Sequence, residues 1–230
     1  MKTNLKAIRH HSILLAYAVP IKIDEYSVIS HPFINFPITV IKDNKFVNLL
    51  DNKERDEWFR YLSDIINTSD LLHIYMMVNK PYKLTWLKFC RPYMSEKEFA
   101  EYLADAWTIM ENPNQDINVD ISTLIYWFGK YPKEHLMTKE DKHHLESLPE
   151  DIVLYRGVGK MSNPYGLSYT SSLKKAKWFQ KRFDNNGFLI ALKVKKNDVL
   201  AYFSTRGESE FIVNTNKYKK KIKEQIQVIN

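Results

Sequence analysis

The chain has 230 residues, is 44% hydrophobic and 27% charged, carries a net charge of +7 and contains one cysteine, Cys90. This is the composition of an ordinary globular protein with room for one large domain or two small ones. It excludes a disulfide-built fold, and no apolar run approaches the roughly 20 residues of a membrane-spanning helix. A lone cysteine fits a reducing compartment, and the only apolar stretch after the basic start, Ile13-Leu14-Leu15, is too short for a secretion-signal core, so a cytoplasmic protein with no membrane partner is expected.

In chain order, Ile38-Thr39-Val40-Ile41, the polar Lys42-Asp43-Asn44-Lys45 and Phe46-Val47-Asn48-Leu49 predict a hairpin. From Asp51 the pattern turns helical. Asp51 with Glu54 and Ser95 with Glu98 have the form of capping boxes, and Phe99, Leu103, Ala106, Trp107 and Met110 form one apolar stripe. Asn112-Pro113-Asn114-Gln115-Asp116 breaks that helix; Asp120 and Thr138 are expected to cap two more, the last ending before Pro149. Beyond Asp151 the period shortens. Strands are predicted at 152–155, 167–170, 187–194, 198–203, 209–213 and 225–229, with one helix over 172–183. The charge changes at the same place: residues from Asp151 onward hold 16 Lys/Arg against 6 Asp/Glu, whereas the first 150 hold 18 against 21. The fold class is therefore α+β: a mostly helical region, 1–149, with a hairpin near its start, packed on a strand-rich domain, 150–230. The basic half suits a ligand bearing phosphates or a solvated lysine surface.

Three short segments of the strand-rich half carry chemical potential: Tyr155-Arg156-Gly157, Ser168-Tyr169-Thr170 and Glu208-Ser209-Glu210. If the last begins a strand, Glu208 and Glu210 share a face about 7 Å apart. Adjacent carboxylates disfavour each other's ionisation and suit a cationic or oxocarbenium centre. Singly, each has a structural alternative: Arg156 in an ion pair, Ser168 as an edge-strand hydroxyl, the glutamates as solvated charges. Metal binding is not expected, because the pairs His10-His11 and His143-His144 point their neighbours apart. Gly157-Val158-Gly159-Lys160 lacks the ending of a phosphate loop.

In this order the three segments resemble the arginine–serine–glutamate class of ADP-ribosyltransferases, which includes clostridial-type toxins and vertebrate ecto-enzymes; the likeness covers about residues 151–214. One departure exists: the middle motif of the family reads Ser-Thr-Ser, where this chain has Tyr169 and Thr170 in second and third place. The resemblance implies cleavage of the nicotinamide–ribose bond of NAD, used as substrate without a metal, and transfer of ADP-ribose to a nucleophile. It implies that Glu210 stabilises the oxocarbenium ion and holds a ribose hydroxyl, that Ser168 orients Glu210, and that Glu208 activates the acceptor. Arg156 would grip the pyrophosphate and Gly157 admit the nicotinamide amide. Thr170 and Phe183 would join the NAD-binding set, Trp178, Arg182 and Phe183 would line the pocket, and Phe203 and Arg206 would lie in the loop meeting the target.

The resemblance further implies an intracellular toxin or effector whose acceptor is a macromolecule. Glu208 favours a protein arginine, which stands slightly ahead, and the basic half favours RNA or DNA. An enzyme toxic in its own cell implies a neutralising, antitoxin-type protein. An NAD glycohydrolase on the same fold, and a non-catalytic nucleic-acid binder using the lysines of 217–223, stay open beside it.

Overall fold

The computed structural model describes residues 1–21, 30–160, 162–182, 187–207 and 209–229, and it is a mixture of helix and antiparallel sheet. Two compact units share the chain: Met1–Tyr102 with Ile109–Glu111, and Leu103–Thr108 with Asn112–Asn230. The charge and period changes near residue 150 are thus not where the contacts divide; the helices of 121–147 belong with the sheet.

In the first unit, helix α1 (Leu5–Ala18) packs against α2 (Asn52–Thr68), α3 (Leu71–Met77) and α4 (Lys83–Cys90), with the hairpin β1 (Ile38–Val40) and β2 (Phe46–Asn48) beside α2. The expected hairpin forms, with Val40 opposite Phe46, and its tight turn is made by Asp43 and Asn44 at φ 62° and 57°, a region these two residue types tolerate. Asp51 caps α2 through the Lys53 and Glu54 amides, but Glu54 takes the amide of Asn48, so the capping box is half made and its second arm ties the hairpin to the helix. Ile8, Leu15, Ile66, Ile74, Leu84 and Leu87 form the core of this unit. Helix α5 (Glu96–Ile109), whose residues 103–108 belong to the second unit, is capped by Ser95 through the Glu98 amide; Phe99, Leu103, Ala106, Trp107 and Met110 are all buried, as their spacing predicts.

In the second unit, α6 (Ile121–Lys130) and α8 (Lys139–Ser147) are capped by Asp120 and Thr138 as expected, with the short α7 (Lys133–Leu136) between them. All three pack on β6 of a sheet built from β3 (Asp151–Val158), β4 (Ser168–Thr170), β5 (Phe188–Lys195), β6 (Val199–Phe203) and β7 (Glu210–Val213), in the spatial order β5-β3-β4-β7-β6, every neighbour antiparallel. Helix α9 (Leu173–Lys181), capped by Ser172, lies on β3.

The strand expected at 225–229 is instead the end of a helix, α10 (Lys219–Ile229). A five-residue window cannot separate the two periods; over the longer stretch Ile222, Ile226 and Ile229 recur at helical spacing, and Ile222 is fully buried. The helix packs on the outer strand β5, where Gln225 both accepts from the Ala191 amide and donates to the Ala191 carbonyl. A side-chain amide thus occupies one backbone pair on the sheet edge, and the Tyr218 hydroxyl accepts the Lys195 amide further along it.

Candidate active site on the sheet

Tyr155, Thr170, Glu210 and Phe203 lie in one row across β3, β4, β7 and β6. Cross-strand partners share a face and alternate residues return to it, so Ser168, Thr170, Glu210 and Ile212 project from the same side of β4 and β7. Three of the expected site residues, Ser168 and Thr170 on β4 and the sequence-remote Glu210 on β7, are brought together here.

Glu210 is half-buried, and its Oε1 accepts a 3.0 Å hydrogen bond from the indole Nε1 of Trp107, on α5. The indole is locked by packing. Trp107 meets Phe128 edge-on at 5.2 Å, and Phe128 meets Phe203 at 6.4 Å. One oxygen of the carboxylate is therefore fixed by a buried donor beside an aromatic wall.

Ser168 is held by Asn114, from the turn Pro113–Gln115. Asn114 Nδ2 donates to Ser168 Oγ at 3.1 Å, while its Oδ1 accepts the Leu167 amide at 2.7 Å. With its oxygen accepting, the hydroxyl has its own hydrogen to give to another partner. Sequence reasoning misses both clamps. Trp107 carries only the signal of an apolar stripe, and Asn114 sits in a loop that turn chemistry explains equally well.

Arg156 bridges a gap in the sheet. Strands β3 and β4 pair at Tyr155 and Thr170, after which the guanidinium spans them: Nη1 donates to the Ser168 carbonyl at 2.9 Å and Nη2 to the Asn163 carbonyl at 3.0 Å. The fork expected to take a pyrophosphate thus holds the backbone of the 163–168 segment. Gly166 permits the fit, since a Cβ there would lie 2.3 Å from Arg156 Nη2. Burial pulls the Arg156 pKa down, with Tyr169 and the Glu210 carboxylate opposing. Arg156 Nε and the Tyr169 hydroxyl are buried without a hydrogen-bond partner among the described residues.

Gly157 and Thr170 also have structural duties. A Cβ on Gly157 would stand 2.1 Å from the Ala176 carbonyl oxygen, so the room expected to admit nicotinamide is filled by α9. Thr170 is buried and its hydroxyl accepts the Ser172 amide, ending β4 and starting α9. Phe203 ends the strand predicted for 198–203 and is buried opposite Glu210, so it does not lie in the target-meeting loop that the resemblance implies. Glu208 and Phe183 lie outside the described residues. The strand begins at Glu210, and Ser209 before it has φ 49°, so the alternation assumed for the two glutamates does not run back through Ser209.

Chemically, the arrangement offers a fixed carboxylate and a fixed hydroxyl on one face, backed by a cation. That set can stabilise developing positive charge and orient a sugar hydroxyl. Comparison of the chain with protein-family models, with curated proteins and with solved structures gave no match.

Proposed function

We propose that the second unit cleaves NAD and transfers its ADP-ribose to a macromolecular acceptor, with Glu210 at the reacting carbon. One observation carries this reading: Ser168 and Glu210 face the same side of adjacent strands, each gripped by a donor from the chain that precedes the sheet.

In the reaction, the bond between ribose C1′ and the nicotinamide nitrogen breaks, and nicotinamide leaves with the bonding electrons. A lone pair on the acceptor then forms the new bond to C1′, and the acceptor's proton passes to solvent. Positive charge on C1′ peaks between these events, where a carboxylate fixed in advance stabilises it without reorganising. Trp107 supplies that fixation. Ser168 orients the ribose. Arg156 acts as a positioning residue, setting the backbone that carries Ser168.

Nicotinamide release from NAD by the purified chain tests the reading. The wild-type chain is expected to turn over NAD, and Glu210→Gln to lose about a hundredfold or more of that rate. An inert wild type, or an undiminished rate in the Glu210→Gln variant, overturns it.

A further inference from the structure

Helix α9 has no acidic residue and carries Lys174, Lys177, Lys181 and Arg182 exposed to solvent at or just beyond its length. Among them Trp178 is 57% exposed, its ring covered by the Arg182 guanidinium at 5.4 Å and met edge-on by Phe179 at 4.9 Å. The other side of the helix does the packing, with Ala176 fully buried and its carbonyl against Gly157. Trp178 therefore contributes little to the core. An exposed indole set among lysines has the make-up of a base-stacking platform. Position adds to this. Lys175 donates to the carbonyl of Gly207, in the turn just before Glu210, so the helix borders the candidate site. Helix α10, which packs on β5 as α9 does, exposes four more lysines between 219 and 223.

We infer that α9 docks a single-stranded nucleic acid, a base stacked on Trp178 and the backbone running along the lysines, and that such a strand is the acceptor. The identity of the acceptor rests on the proposed NAD chemistry; the docking does not. Charge complementarity selects a polyanion, and the exposed indole, stiffened by Arg182, selects one with unstacked bases over an acidic protein or a duplex.

Binding of a fluorescent single-stranded RNA of about twelve nucleotides, measured by anisotropy without NAD, tests the docking on its own. The wild-type chain is expected to bind at low salt and lose affinity steeply as salt rises. Trp178→Ala should weaken binding tenfold or more with the salt slope kept, and Trp178→Phe should restore most of it. The double variant Lys174→Ala/Lys177→Ala should flatten the slope by about two contacts. Because Trp178 is exposed, circular dichroism should show the Trp178→Ala variant folded. No binding at low salt, equal binding by the Trp178→Ala variant, equal competition by polyglutamate, or preference for duplex overturns the proposal. Nicotinamide release is a separate readout, so failure of the docking and failure of the NAD chemistry are distinguishable.

Discussion

The indole of Trp107 donates to the carboxylate of Glu210 across 103 positions of sequence. This contact fixes one oxygen of the Glu210 carboxylate through a donor that is itself buried. Trp107→Phe removes the donor together with one ring of a fully buried indole, so a lost hydrogen bond and a cavity act together. The expected cost is at least the roughly 1.5–3 kcal/mol of a hydrogen bond to a charged group, with the cavity adding to it. Nicotinamide release should fall as well, by a smaller factor than in Glu210→Gln. Chemical denaturation and the NAD assay together check it, and a variant unchanged in both removes Trp107 from the site.

Arg156→Lys retains the charge and loses the fork. One ammonium cannot reach the Ser168 and Asn163 carbonyls in the geometry of two guanidinium nitrogens, so at least one carbonyl loses its donor. A loss of about 1–3 kcal/mol is expected in denaturant unfolding. Gly166→Ala should produce a similar loss, because its added methyl occupies the space of Nη2.

Gly157→Ala should be more damaging than a surface glycine change. Its methyl would collide with the backbone of α9 at Ala176 and Gln180, and a helix backbone yields less than a side chain. A loss of about 2 kcal/mol or more is expected. Gly207→Ala is the contrasting control for contacts, with open space around its Cβ position and only its φ of 62° to strain it. Thermal unfolding of the two variants reports the difference.

In the first unit His31 is fully buried, with Nε2 bonded to the Ala16 carbonyl at 2.8 Å and Nδ1 accepting the Phe33 amide at 3.1 Å. Both nitrogens of the neutral ring are used, and protonation would set an N–H against an N–H. Burial lowers the His31 pKa below its ordinary 6.5, with the Ala16 bond opposing. The unfolded chain therefore takes up a proton before the folded one does. Stability from this residue is complete above pH 6.5 and declines as pH falls from there toward the folded value, by at most about 1.4 kcal/mol per pH unit. Urea unfolding of wild type and His31→Gln between pH 7.5 and 5 should show a steeper decline in the wild type; parallel curves contradict the assignment.

Much of the local structure is legible in the sequence because it is decided by neighbours within a few residues. Asp51, Ser95, Asp120, Thr138 and Ser172 each cap the helix they precede, and the hairpin forms at 38–48 with its polar turn. The exceptions are α1, which no predicted element covers, and α10, where a short window hides the helical period and the lysines read as a plain cluster until the helix places them.

The candidate site divides the same way. The order Arg156, Ser168, Glu210 is a property of the sequence, and so is the expectation that strands carry them, since residue types and apolar period are local. What each side chain does was decided by the tertiary structure. Arg156 turned its fork onto two backbone carbonyls because β3 and β4 part beyond Tyr155, and Gly157 gave its space to a helix. Trp107 and Asn114 became partners of Glu210 and Ser168 through chain closure over distances that no periodicity records. Composition and spacing fix which chemistry is available. Only the packing of remote segments fixes which donor meets which acceptor, because hydrogen bonds depend on ångström-scale placement and sequence separation carries none of it.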